Sequence, residues 1–254
     1  MSEVVKIFVG TEVKTKIALD VLSYSIKSKS SLPVEIVPMI GQDWEVPKNL
    51  HQGTGFSLRR FMIPMACGFE GHAIYLDADQ LVFGDIAELW GYKENMGTEH
   101  SVACTYQTDK HNNNPAPQTS VMLIDCHRCE WVPDEIWQLL LKGYNYTKLM
   151  HLSFMKSSIL KIPTYWNHLN THEDTVTRLL HYTKEPEQPW YKPNHPLASL
   201  WKSELIKAIN AGAVLKEDFV SALKLWKAPK LDHRKTQGLH PYYSKFLKEF
   251  DKQK

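Results

Sequence analysis

An apolar run, Ile74-Tyr75-Leu76, leads directly into Asp77-Ala78-Asp79. In extended backbone, residues two apart point the same way. Both carboxylates then project from the carboxyl end of a strand, the edge at which open α/β sheets place their ligands. Two carboxylates held close together repel unless something positive lies between them. Oxygen ligands suit a hard divalent cation such as Mg²⁺ or Mn²⁺. Such a cation can hold a diphosphate and neutralise it as a leaving group. The competing reading of so common a spacing is a solvated acidic turn. The hydrophobic strand in front of it favours the metal.

The neighbouring segments supply the elements that must position this pair. Residues 4–9 are a β-branched and aromatic run that stops at Gly10, and read as a buried strand. Residues 16–27 carry Ile17, Leu19, Val21, Leu22 and Ile26, which suits a helix. Residues 34–37 form a second strand, and this β-α-β opening favours an α/β fold. Residues 57–66 predict a helix packed through Phe61, Met62 and Met65, with Pro64 near its end. Residues 73–76 are apolar on both faces, as in a central strand. Residues 101–105 and 120–124 predict two more strands. Pro133 and Asp134 open a further helix. Segments 106–118 and 183–196 are expected to be long loops, and 199–227 largely helical.

Composition narrows the function classes. With 254 residues, 43% hydrophobic and 23% charged, the chain can bury a core without disulfides or a structural metal. A net charge of +2 is too balanced to suggest a nucleic-acid partner, and none is expected. The first ten residues lack the pattern of a secretory leader, and no stretch approaches the roughly 18 apolar residues of a transmembrane helix. The lone C-x-x-C, Cys126-His127-Arg128-Cys129, has no second pair to complete a zinc site. Reduced thiols in a cytoplasmic protein are the expectation.

The longer string Tyr75-Leu76-Asp77-Ala78-Asp79-Gln80-Leu81-Val82-Phe83-Gly84-Asp85-Ile86-Ala87-Glu88-Leu89-Trp90 resembles the DxD region of GT-A glycosyltransferases. It is most similar to glycosyltransferase family 8, the group of glycogenin and bacterial galactosyltransferases. Other segments fall in matching order. The end of the first strand, Val9-Gly10-Thr11, resembles the part that cradles the nucleotide base. Ser57-Leu58-Arg59-Arg60-Phe61 resembles the helix that presents an Arg to the donor, with Arg60 the better match. Pro163-Thr164-Tyr165-Trp166-Asn167 resembles a P-x-x-W/F-N segment. His181-Tyr182-Thr183 and Gln188-Pro189-Trp190 resemble the late H-[YF]-x and K-P-W segments. The likeness spans roughly residues 4–190.

The resemblance implies a GT-A, Rossmann-like nucleotide-diphospho-sugar transferase fold, with a mixed central sheet flanked by helices. Residues 1–198 would form the catalytic domain, with 199–254 a helical extension packed on it. It implies a UDP-sugar donor, a glycan or small-molecule acceptor, and transfer of a hexose with retention of configuration. By the same likeness, Asp77, Asp79 and His181 would ligate Mn²⁺ or Mg²⁺. Val9, Gly10, Thr11, Arg60, Asp77, Ala78, Asp79 and Lys184 would line the donor site. Imidazole is an acceptable partner to carboxylates on such a metal.

Three departures from the family pattern stand out. A Phe-Asn-[AS]-Gly segment is replaced by Pro117-Gln118-Thr119-Ser120. No D-Q-D follows the next helix; the neighbourhood reads Tyr146-Thr147-Lys148-Leu149-Met150-His151. The lysine before Pro-Trp is Gln188, leaving Lys184 as the nearby cation. Gln118 and His151 remain as candidates for the missing polar groups beside the reacting carbon. Two other functions compete: a GT-A scaffold that binds nucleotide or glycan without turnover, and a sugar-nucleotidyltransferase. The second would carry a glycine-rich basic loop after the first strand, where Gly10-Thr11-Glu12-Val13-Lys14 stands instead. The aromatic pair Trp190-Tyr191 lies in a proline-rich segment, either to stack on a sugar or to pack beneath the loop.

Overall fold

Short apolar runs punctuated by glycine and proline become strands, and the longer amphipathic ones become helices. In the computed structural model, residues 3–50, 56–108, 114–226 and 237–253 are described. In chain order the elements are β1 (Val5–Gly10), α1 (Lys16–Lys27), β2 (Val34–Pro38), α2 (Ile63–Ala66), β3 (His72–Asp77), β4 (Gln80–Val82), α3 (Ile86–Gly91), β5 (His100–Thr108), β6 (Pro115–Asp125), α4 (Pro133–Leu141), α5 (Tyr146–Met150), β7 (Ser158–Ile162), β8 (His168–Leu169), β9 (Leu179–His181), α6 (Ala198–Asn210), α7 (Lys216–Lys224) and α8 (Leu247–Phe250). The chain divides into two units interleaved in sequence.

The first unit comprises residues 1–10, 30–77 and 85–167. Its six-stranded sheet has the order β2-β1-β3-β6-β5-β7. β1 pairs in parallel with β2 and β3, β6 runs antiparallel to β3 and β5, and β7 is parallel to β5. The mixed sheet and its helices match the expected fold class. β3 is central, buried along Ala73–Leu76 on both faces, as its unbroken apolar sequence requires. Phe8, Phe61, Tyr75, Met122, Trp131 and Ile136 share one apolar core here. Residues Gly10 and Asp77 pair in register, so β1 and β3 end at one edge.

Two local expectations are redrawn in this unit. The helix expected over 57–66 is a 3-10 turn, Arg59–Met62, followed by the single α-turn α2. Pro64 has no N–H to donate, so it is tolerated only in the first turn of an α-helix. The loop expected over 106–118 is mostly strand: β5 runs to Thr108 and β6 starts at Pro115, with Thr105 opposite Gln118. Residues 109–113 of that segment lie outside the described residues. The β5–β6 register jumps from Cys104↔Met122 to Thr105↔Gln118. Thr119, Ser120 and Val121 therefore bulge out of that ladder, which frees polar groups for other partners.

The second unit comprises residues 11–29, 78–84 and 168–254. It holds the three-stranded sheet β4-β9-β8 and helices α1, α6, α7 and α8. α1 buries Ile17, Ala18, Val21, Leu22, Ser25 and Ile26 along one face, the i, i+4 stripe expected of a core-facing helix. Ser25 ties that helix to β4, because its hydroxyl accepts the Val82 N–H at 3.2 Å. Val21, Leu81, Leu180, Trp190, Trp201 and Phe219 belong to one core. The helical stretch expected over 199–227 is present as α6 and α7; residue 227 lies outside the described residues. Among the described residues no helix is long and apolar enough to cross a membrane.

Candidate active site

β3 carries Asp77 to its carboxyl end, where the residue is only 8% exposed. A charge so buried needs partners, since desolvation otherwise costs several kcal/mol. Among the described residues, Tyr75 and Arg60 meet Oδ1. The Tyr75 hydroxyl donates at 2.5 Å, and Arg60 Nη2 lies at 3.3 Å. Tyr75 stands two residues earlier on the same strand, so strand period alone puts it on the face of Asp77. Gly10 makes room for this bond. A Cβ there would overlap the Tyr75 hydroxyl and stand 2.8 Å from Phe56.

Arg60 is itself 5% exposed and well satisfied. Nε donates to the Ser57 carbonyl at 2.8 Å. Nη1 donates to the Thr119 carbonyl at 2.6 Å and to its hydroxyl at 2.8 Å. The guanidinium also lies 4.5 Å from the Tyr75 ring centre, in cation–π contact. The 3-10 turn supplies the Arg and the β6 bulge supplies the carbonyl, so two irregular segments build one rigid cation. Within the same bulge, Ser120 Oγ accepts from Asn167 Nδ2 at 2.9 Å. Ser120, which stands where the family pattern has glycine, thus anchors the late P-x-x-W-N segment. Gln118 is half-buried on β6, and His151 is half-buried at the end of α5.

Two residues beyond Asp77 the chain reaches Asp79, within the second unit. β4 pairs antiparallel with β9, placing Gln80 opposite His181. Asp79 Oδ1 then stands 3.1 Å from His181 Nε2. The contact is close enough for an ion pair, but it is not aligned as a hydrogen bond: Oδ1 is buried with no donor. The other oxygen is held, because Gln188 Nε2 donates to Oδ2 at 2.8 Å and to the Tyr182 carbonyl at 3.0 Å. The Tyr182 N–H donates to the Asp79 carbonyl at 2.9 Å.

Asp77, Asp79 and His181 are the side chains, among the described residues, that form a set able to hold a metal ion. Two carboxylates and an imidazole suit Mn²⁺ or Mg²⁺. A buried carboxylate oxygen with no hydrogen bond beside an imidazole nitrogen is the arrangement that a cation would complete. The residues present therefore fit the group.

Val9 is fully buried on β1, and Ala78 is buried between the two carboxylates. Thr11 is buried, its hydroxyl 3.0 Å from that of Thr15. Lys184 is exposed on the loop after β9. Nearby, Lys14 bridges Glu12 and Glu185 at 3.1 Å each. Burial alone would lower the Lys14 pKa, but the two carboxylates outweigh it and raise it. Trp190 and Tyr191 are buried among Tyr182, Trp201 and Trp226, so of their two expected roles the structure takes packing.

Sequence reasoning overlooked Tyr75, Thr119 and the contact between Gln188 and Asp79. Tyr75 carried a signal in its spacing from Asp77. The other two had none, because a bulge and a distant loop bring them in.

The six-stranded mixed sheet with an Asp-x-Asp at the end of its central strand defines a GT-A glycosyltransferase fold, and solved structures agree. The galactosyltransferase LgtC, described in complex with donor and acceptor sugar analogues, superposes with a TM-score of 0.59 at 12% identity, over 79% of this chain and 95% of that one. The glycosyltransferase GlyE of Streptococcus pneumoniae TIGR4 gives 0.61 at 17% identity, over 81% of this chain and 60% of that one. Among curated proteins, Protein CDI of Arabidopsis thaliana is 25% identical, over 79% of this chain and 85% of that protein. No family model matches.

Proposed function

We propose that the protein is a metal-dependent glycosyltransferase of the family 8 kind, moving a hexose from a UDP-sugar to an acceptor hydroxyl with retention of configuration. The observation that carries this reading is Asp79: its Oδ2 is fixed by Gln188, while Oδ1, buried without a donor, lies 3.1 Å from His181. It is supported by the GT-A fold and by neighbours described as a galactosyltransferase and a glycosyltransferase.

Asp77, Asp79 and His181 would hold the cation, Mn²⁺ or Mg²⁺. When bound, it supplies a positive charge that holds the donor diphosphate and neutralises it on departure. The chain's own groups prepare that site. Arg60 and Tyr75 hold Asp77 Oδ1 in a fixed, buried place, so no reorganisation is needed during reaction. Val9, Gly10 and Thr11, at the end of β1, would receive the nucleotide, and Lys184 would add a cation from the loop. Residues 1–198 would carry donor binding and catalysis, with 199–254 as an extension. Gln118 and His151 are the polar groups offered to the sugar and acceptor.

The test is donor hydrolysis and transfer: UDP-glucose and UDP-galactose with Mn²⁺, reading released UDP and, by mass spectrometry, glycosylated acceptors. UDP release that is lost in Asp79→Ala supports the reading. Tight Mn²⁺-dependent UDP binding without release from any donor would instead mark a non-catalytic binder. Release unaffected by Asp79→Ala would remove the metal assignment.

A further inference from the structure

We infer that Gln188 is a positioning residue for the cation site, holding Asp79 so that its unbonded oxygen stays directed beside His181. The inference rests on the metal reading of Asp77, Asp79 and His181 given above. Gln188 is 5% exposed, and both hydrogens of its carboxamide nitrogen have acceptors: Asp79 Oδ2 at 2.8 Å and the Tyr182 carbonyl at 3.0 Å. Tyr182 in turn donates its N–H to the Asp79 carbonyl at 2.9 Å. The three residues form a closed ring of hydrogen bonds that fixes both the backbone and the carboxylate plane of Asp79. A carboxylate is otherwise free to turn about its last torsion, where the energy wells are broad. With Oδ2 held, Oδ1 has one direction left, and it lies 3.1 Å from His181 Nε2.

The charge of the holding group matters as much as its reach. A carboxamide donates hydrogen bonds without bringing a formal charge. A lysine at this position would place an ammonium against a ligand carboxylate and compete with a divalent cation for it. Gln188 therefore leaves the negative charge of Asp79 available to the metal while removing its rotational freedom. Hydrogen-bond partners of metal ligands are commonly worth about 10–100-fold in metal affinity, which sets the size of the effect.

The experiment is Mn²⁺ titration of the full chain by electron paramagnetic resonance, without donor, on the parent, Gln188→Met and Gln188→Lys. The methionine keeps the volume and removes both donors; the lysine keeps a donor and adds a charge. Thermal melting in EDTA reports whether each variant is folded. The expected result is saturable Mn²⁺ binding by the parent, about 10–100-fold weaker in Gln188→Met. The line shape of bound Mn²⁺ should also change, which a merely structural role would not produce. Gln188→Lys should bind more weakly than the parent through its added charge, and Gln188→Leu, which also lacks both donors, takes the place of Gln188→Met if that variant is unfolded. Parent-like affinity in a folded variant lacking both donors overturns the inference while leaving the metal site intact. Failure of the parent to bind Mn²⁺ is a different result, and it removes the metal reading itself.

Discussion

Replacing Arg60 by methionine tests the buried pair that supports Asp77. Arg60 and Asp77 are 5% and 8% exposed, and Nη2 lies 3.3 Å from Oδ1. Methionine fills much of the space of the aliphatic stem but removes the bonds to Ser57, Thr119 and Asp77. Breaking a buried ion pair from one side costs about 3–5 kcal/mol, because the surviving charge stays buried without its counter-charge; here the Tyr75 hydroxyl still donates to Asp77. For a chain of this size each kcal/mol is about 2–4 °C in Tm, so a fall on the order of 6–20 °C is expected in EDTA. A second reading comes from metal. Without the guanidinium, Asp77 has a stronger need of a cation, so saturating Mn²⁺ should raise the Tm of Arg60→Met by more than it raises the parent's. Adding Asp77→Asn should recover much of the loss, because both charges are then gone. The assay is differential scanning calorimetry with EDTA and with Mn²⁺. A fall within about 2 °C, less than 1 kcal/mol on that scale, would refute the assigned strength of the pair. A Mn²⁺ gain no larger than the parent's would refute the place of Asp77 in the metal site.

Gly10→Ala should destabilise the first unit by about 1–3 kcal/mol, an overpacking cost, because its Cβ runs into the Tyr75 hydroxyl and Phe56. Urea denaturation measures this, and a loss below about 0.5 kcal/mol would show that Tyr75 moves aside freely. Asp85 caps α3 by accepting the Ala87 N–H at 2.9 Å, and it also accepts the Ser31 N–H at 3.0 Å. Burial alone would raise its pKa, but the Ser31 and Ala87 bonds outweigh it and hold the carboxyl below its usual value. Its contribution is therefore present above the unfolded pKa of about 3.9 and is lost as pH falls through the lower folded value. Asp85→Ala should cost about 0.5–2 kcal/mol at pH 7, with the two stability curves converging below about pH 4. A gap that does not narrow at all as pH falls below about 4 would show that the effect is not ionic.

How much of the site was legible depended on how far apart its parts lie in the chain. The Asp77-Ala78-Asp79 pair could be found because an apolar strand precedes it and strand period is two. Tyr75 was within reach of the same argument, one period earlier on the same face. Arg60 was found through family resemblance, yet its actual partners depend on a 3-10 turn enforced by Pro64 and on a bulge at Thr119. Periodicity has no signal for a bulge, since the extra residues look like ordinary strand. The loop expected over 106–118 was misplaced for a related reason. Pairing between β5 and β6 satisfies backbone groups at both ends of that segment and overrides local propensity. Gln188 could be read only as a departure from a lysine.

The sequence by itself determined the α/β class, the central strand β3, the placement of two carboxylates at its end and the amphipathic helices of the second unit. These follow from apolar periodicity over a few residues, which acts before any distant contact forms. Only the tertiary structure decided which partner each charge received. It set Arg60 and Tyr75 on Asp77, Gln188 on Asp79, and His181 beside the oxygen left without a donor. Those pairings join residues up to 109 positions apart. Such contacts are fixed by strand register, by a bulge and by the demand that buried charges be compensated, and that demand arises only once the chain has folded around them.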